Sequence, residues 1–139
     1  MRLEKLSIYN FRNLSHVEMP QLASFNFIHG VNGSGKTSIL EAVHTVALTR
    51  SFRSRKMDSV ISYDKDDLTV RGELRQGERA GQQIIGVRRP RKGPVLVKLG
   101  GEKLSTAGQL AGVLPVQVIN PASFELLEGS PGVRRQYID

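Results

Sequence analysis

The sequence predicts an α/β fold: a mixed sheet with an antiparallel portion, packed around one amphipathic helix that opens at a glycine-rich loop. Three observations carry this. Apolar and polar residues alternate through residues 3–11, and three further alternating or β-rich stretches lie between residues 68 and 99, as expected of half-buried strands. Residues 38–48 lack Gly and Pro and set Ile39, Ala42, Val43, Val46 and Ala47 along one helical face, with Glu41 and His44 directed elsewhere. Between strand and helix stands Gly30-Val31-Asn32-Gly33-Ser34-Gly35-Lys36-Thr37.

Taken in order, Leu3, Leu6, Ile8, Tyr9 and Phe11 mark a first strand, and residues 10–13 a turn. Residues 14–19 form a short second strand that Pro20 ends. Phe25, Phe27 and Ile28 read as a third strand, apolar enough to lie within a sheet, running straight into Gly30. After the helix, residues 51–56 are a polar, basic surface loop. Residues 68–74, 83–88 and 95–99 then suggest an antiparallel meander, separated by turn-forming residues. Ser105 is placed to cap a short helix reaching Leu110, and residues 115–119 read as another buried strand. Pro121 precedes a short helix over residues 122–127, with Gly129 just beyond.

A chain of 139 residues is about one domain. At 39% hydrophobic and 24% charged residues it has the composition of a globular protein. No apolar run approaches the ~20 residues of a membrane span, and the N-terminus has no signal-peptide core, so the expectation is a cytoplasmic protein with no membrane partner. The absence of cysteine excludes disulfides, cysteine-ligated metal and thiol nucleophiles. A net charge of +7 favours polyanionic partners, with an ordinary basic surface as the plain alternative. The chain stops at Gln136-Tyr137-Ile138-Asp139, directly after Arg134-Arg135 and without a helix-stop signal. The expectation is therefore one N-terminal lobe over residues 1–139, cut at its C-terminus.

The octapeptide matches the phosphate-loop pattern GxxxxGK(S/T) in full. Its glycines let the backbone curl until successive N–H groups point at phosphate oxygens. The helix that follows adds its unpaired N–H groups and the positive end of its dipole. Lys36 is the residue for the β- and γ-phosphates, and the Thr37 hydroxyl for Mg²⁺, with Ser38 following in the first turn. ATP and Mg²⁺ are thus the expected ligands. The plain alternative is a glycine-rich turn bearing an exposed lysine.

The flanks narrow the class. Leu6-Ser7-Ile8-Tyr9-Asn10-Phe11-Arg12-Asn13 ahead of an early Asn-Gly-Ser-Gly-Lys-Thr-Ser loop resembles the SMC-type branch of ABC ATPases, and within it the RecF family. Phe11-Arg12-Asn13-Leu14, Ile39-Leu40-Glu41-Ala42, Ser51-Phe52-Arg53-Ser54, Pro115-Val116-Gln117 and Leu127-Glu128-Gly129-Ser130-Pro131 are all similar to that family, so the resemblance spans essentially the whole chain. It implies the first lobe of an ABC-type ATPase head, with Arg12 and Asn13 beside the bound nucleotide. It also implies slow hydrolysis, an ATP-dependent homodimer that clamps duplex, gapped or junction DNA, and RecR as partner in recombinase loading.

Two departures accompany it. Where related heads place a Gln that senses Mg²⁺ and γ-phosphate, this sequence has Asn120-Pro121-Ala122-Ser123, with Gln117 nearby. An apolar strand ending in acidic residues, and the signature helix that a partner head presents, are not encoded in residues 1–139; family members carry both downstream. Basic clusters occur at Arg50, Arg53, Arg55 and Lys56, at Arg88, Arg89, Arg91 and Lys92, and at Arg134-Arg135. Of these, Arg53, Arg55, Lys56, Arg88, Arg89, Arg91 and Lys92 are the candidate DNA contacts, weighed against solvated loop charge. Few aromatics interleave with them, which favours backbone-phosphate contact over base stacking. His16, His29 and His44 share no metal-ligand spacing. Two other classes compete: a self-contained small-molecule P-loop kinase or NTPase, and a non-catalytic DNA-binding domain whose loop takes a backbone phosphate.

Overall fold

The alternating segments pair into one sheet because each has an apolar face to bury and a ladder of N–H and C=O groups to satisfy. The computed structural model describes residues 1–75, 77, 81–104 and 108–119. Its strands are β1 (Arg2–Phe11), β2 (Leu14–Met19), β3 (Asp67–Arg75), β4 (Gln82–Pro90), β5 (Leu96–Leu99) and β6 (Glu102–Lys103). They lie in the order β2-β1-β3-β4-β5-β6, each neighbour antiparallel. The main helix is α1 (Lys36–Leu48), a 3₁₀ turn covers Met57–Val60, and a short α2 spans Gly108–Ala111.

Register decides which face is core. Ile8 pairs with Val70, Val70 with Val87, and Val87 with Val97, so one row of inward side chains crosses four strands. Leu6, Leu68, Leu74 and Ile85 extend it, and Ala42, Val46 and Ala47 of α1 pack within the same core cluster. Burying each Val, Leu or Ile contributes about 1.5–3 kcal/mol, which is what holds α1 against the sheet. The outward face carries Tyr9, His16, Arg71, Arg88 and Lys98.

β1 and β2 are joined at Arg12 and Asn13, with Phe11 paired to Leu14 across the loop. Arg12 has φ 55, the positive value that the primed hairpin turns place at their first loop position. Its backbone N–H donates to the Val60 carbonyl at 2.7 Å and its own carbonyl accepts from Ser62 Oγ at 2.8 Å. The hairpin tip is thereby stitched to the 3₁₀ turn and the loop after it.

Two expected strands do not form. Residues 21–30 run without ladder pairing; Phe25 and Phe27 stand 84% and 79% exposed. The Asn26 side chain bonds both to the Ala23 N–H (3.0 Å) and to the Ala23 carbonyl (2.9 Å), which curls the segment locally. β2 and β3 occupy both edges of β1 from Leu6 onward, and the segment meets β1 at Leu22, whose N–H donates to the Glu4 carbonyl at 2.7 Å, without continuing as a ladder. Residues 115–119 likewise form no strand, with Val116 packed on the core and Ile119 exposed. The meander is found as expected, in β3, β4 and β5. The Ser105 cap, the 122–127 helix, the Asn120-Pro121-Ala122-Ser123 segment and Arg134-Arg135 lie outside the described residues. Among the described residues no helix is long and apolar enough to cross a membrane.

Candidate phosphate-binding site

The loop before α1 is built on backbone conformations that side chains resist. Gly33 has φ 79 and Gly35 φ 96, both in the left-handed region that favours glycine. At Gly35 space matters too: a Cβ would lie 2.5 Å from Leu14 Cδ2 and 3.3 Å from Asn13 Nδ2. Gly35 is the N-cap of α1 and offers no side-chain acceptor to the first-turn N–H groups, while no acidic residue sits in that turn. A 13-residue helix thus begins with donors and a positive dipole end available to an anion. Lys36 Nζ arches back over the loop, donating to the carbonyls of Gly30 and Val31 at 2.8 Å each.

Asn13 braces this loop from behind. Its Nδ2 donates to the Gly33 carbonyl (2.9 Å), and its Oδ1 accepts from Ser38 Oγ (3.0 Å). The hairpin tip, the loop and the first turn of α1 are thereby tied together through one side chain. Ser38 is buried and its hydroxyl belongs to this brace.

Glu41, read as lying off the apolar face of α1, is nonetheless fully buried. Arg12 Nη2 and Nε donate to its two carboxylate oxygens at 2.7 and 3.0 Å, and Arg12 Nη1 reaches the Ser59 carbonyl at 3.0 Å. Ser51 Oγ donates to Glu41 at 2.5 Å while accepting the N–H groups of Arg53 and Ser54, and Arg53 Nη1 stands 3.4 Å from the same carboxylate. Burial alone would raise the Glu41 pKa, but the hydrogen bonds from Arg12 and Ser51 and the charges of Arg12 and Arg53 outweigh it and hold it below the ordinary value. Helical period defines the face turned to the sheet; it does not reveal that the hairpin tip and the 51–54 loop cover the flank. A lone carboxylate amid Ile39, Leu40, Ala42 and Val43 was the available signal.

A cleft of about 910 Å³ gathers these parts. Its wall brings together the expected Arg12, Asn13, Asn32, Gly33, Gly35, Lys36, Thr37 and Ser38, while Gly30, Val31 and Ser34 lie in the same loop without lining it. Arg53, Asp58, Ser59, Ile61, Tyr63 and Arg91 complete the lining. Cationic side chains from four separate segments thus line the cleft beside the start of α1, an arrangement whose charge suits a multiply charged anion.

The seven arginines and lysines selected for DNA do not share one surface. Arg53 faces the cleft. Arg91 donates to the carbonyls of Lys65 (2.7 Å), Ser62 (3.0 Å) and Asp58 (3.2 Å), so its guanidinium is engaged in holding the 58–65 loop. Arg88 pairs with Asp67 on the outer sheet face, and Arg89 is partly buried with its Nε unpartnered among the described residues. Arg55, Lys56 and Lys92 are exposed.

A phosphate-type loop opens the first helix, with a hairpin arginine and asparagine beside it and an antiparallel sheet behind, a fold shared with SMC ATPase head domains. In agreement with this, the fold superposes on a chain from a structural study of ATP-driven dimerisation and DNA-stimulated activation of SMC ATPases, with a TM-score of 0.80, 22% identity, and coverage of 100% of this chain and 98% of that one. The chain belongs to the RecF/RecN/SMC N-terminal domain family, which it matches over residues 2–124. It is 46% identical over 139 residues to a DNA replication and repair protein RecF of Pseudomonas entomophila (strain L48), covering 100% of this chain and 38% of that relative. A structure of the recombination mediator protein RecF-ATPrS matches with a TM-score of 0.90 and 30% identity, over 99% of this chain and 37% of that one. The chain thus spans well under half the length of these RecF relatives.

Proposed function

We propose that this chain is the nucleotide-cradling lobe of an ATP-switched DNA-repair ATPase of the RecF type. In this reading, ATP-driven pairing of two heads clamps DNA at gaps or junctions, and RecR joins to support recombinase loading. The observation that carries it is the convergence of Lys36, Thr37 and Arg12 on the N-terminus of α1 within one cleft. The RecF relatives support the repair role, and the RecF structure described with an ATP analogue supports the ligand.

The residues present fit the nucleotide and its metal. The loop and first-turn N–H groups would hold the phosphates, and Lys36 would exchange its two carbonyl contacts for phosphate oxygens. The Thr37 hydroxyl, in the first turn of α1 and on the cleft wall, would hold Mg²⁺ together with the phosphates. Bound there, Mg²⁺ supplies neutralisation of phosphate charge. Asn13 keeps the loop in register, and the Glu41 network keeps Arg12 at the cleft wall.

Titration with ATP·Mg²⁺ tests the reading. The Lys36→Ala variant should keep its fold and lose roughly 2–4 kcal/mol of binding, as expected for a charge-assisted phosphate contact. Unchanged affinity in the folded variant would overturn it. Residues 1–139 should bind without appreciable turnover; robust hydrolysis lost in Lys36→Ala would instead identify a self-contained P-loop kinase or NTPase.

A further inference from the structure

The cleft is larger than a phosphate cradle requires, and its lining includes a single aromatic ring among the described residues, Tyr63. That ring is 90% exposed. Leaving a tyrosine face in water gains nothing for the fold, so its placement calls for a ligand or for no role at all.

The loop that carries it is rigidly held. Arg91 ties the carbonyls of Asp58, Ser62 and Lys65 together from one side, and its own N–H donates to the Asp66 carbonyl at 2.8 Å. From the other side the Ser62 N–H donates to the Asn10 carbonyl at 2.9 Å, and Ile61 makes a β-bridge to Phe11. Tyr63 is therefore an exposed ring on a clamped backbone, which gives a stacking surface at small ordering cost. Arg12 also lines the cleft, and its guanidinium is bonded to Glu41 of the phosphate-loop helix and to the Ser59 carbonyl near the Tyr63 loop.

We propose that Tyr63 is the stacking platform for the base of the bound nucleotide, with Arg91 as the residue that positions its loop. This rests on the nucleotide reading above and extends it from the phosphates to the base. A ring face stacks on any base, so Tyr63 contributes affinity for a nucleotide over bare polyphosphate and discriminates weakly between ATP and GTP.

The test compares ATP·Mg²⁺ with inorganic tripolyphosphate and Mg²⁺, titrated into the wild-type chain and into Tyr63→Ala, Tyr63→Phe and Lys36→Ala. Tyr63→Ala should weaken ATP by about ten-fold, the size of one base–aromatic stack, and leave tripolyphosphate unchanged. Tyr63→Phe should bind ATP like wild type. Lys36→Ala should weaken both ligands, which reports on the phosphate site separately. Wild-type ATP affinity in Tyr63→Ala, an equal loss of both ligands in that variant, or a wild-type chain that binds tripolyphosphate as tightly as ATP would each overturn the assignment. A wild-type chain that binds neither ligand would remove the nucleotide reading and this one with it.

Discussion

Arg12, at the left-handed tip of the β1–β2 hairpin, donates two parallel hydrogen bonds to the buried carboxylate of Glu41 on α1, at 2.7 and 3.0 Å. Residues 29 apart in sequence are thereby locked across the wall of the phosphate cleft. A positive φ at a non-glycine residue costs on the order of 1 kcal/mol, and this pair, with the Val60 and Ser62 backbone contacts, over-determines it.

Glu41→Ala should therefore be markedly destabilising. Removing one partner of a buried pair costs about 3–5 kcal/mol, and the 22% exposure of Arg12 with its Ser59 contact brings the expectation down to about 2–3 kcal/mol. Arg12→Ala should cost a similar amount, and the double variant less than the two losses together. Chemical denaturation at neutral pH measures all three; additive losses would mean the two residues act independently.

Acid should expose the same pair. The folded Glu41 pKa lies below its ordinary 4.5, so its contribution is complete above that pH and is lost as pH falls through the folded value. Glu18, held at about 2 by hydrogen bonds from Ser7, His16 and Tyr9, acts with the same sign on the exposed sheet face, where solvent weakens its effect. Unfolding midpoints followed downward from pH 5 should fall in the wild type and fall less steeply in Glu41→Gln. Parallel curves would assign the acid sensitivity to other groups.

The phosphate-loop glycines should rank by environment. Gly35→Ala meets both a left-handed φ of 96 and Leu14 Cδ2 at 2.5 Å, while Gly33→Ala meets only φ 79, with no other atom within 4 Å. Gly33→Ala should cost about 1 kcal/mol and Gly35→Ala roughly 2–3 kcal/mol, with weakened nucleotide binding in the latter. Thermal unfolding of the two variants side by side gives the order, and equal losses would contradict the close approach to Leu14.

For DNA, the useful variants are those whose charges are not engaged in the fold. Replacing exposed Arg55, Lys56 and Lys92 by alanine should lower the log–log salt slope of duplex affinity by about 0.9 for each lost phosphate contact. A wild-type slope would return these residues to ordinary surface charge. Arg91 is left intact here, because its loss would loosen the 58–65 loop and confound the measurement.

Local chemistry made much of this readable. The glycine loop, the α1 stripe and the β3–β5 meander each announce themselves through spacing of a few residues, because turn geometry, helical period and strand period are local properties. Phe25, Phe27 and Ile28 have the composition of a strand and are not in one, since a ladder needs a neighbouring edge and composition does not supply it. Arg53, Arg91 and Arg88 look alike in sequence; Arg53 reaches the Glu41 carboxylate, Arg91 clamps a loop, and Arg88 pairs with Asp67.

The sequence by itself determined the local geometry of the proposed site, a glycine loop that opens α1 with Lys36 and Thr37 in set positions, because that motif is contiguous and its shape follows from its own glycines. Only the tertiary structure decided what surrounds the cradle. That Glu41 is buried between Arg12 and Ser51, that Asn13 braces Gly33 against Ser38, and that Tyr63 shares the cleft with Lys36 all depend on strand register bringing distant turns to one end of the sheet. Such contacts are selected by the summed burial of the whole core, and no single segment encodes them.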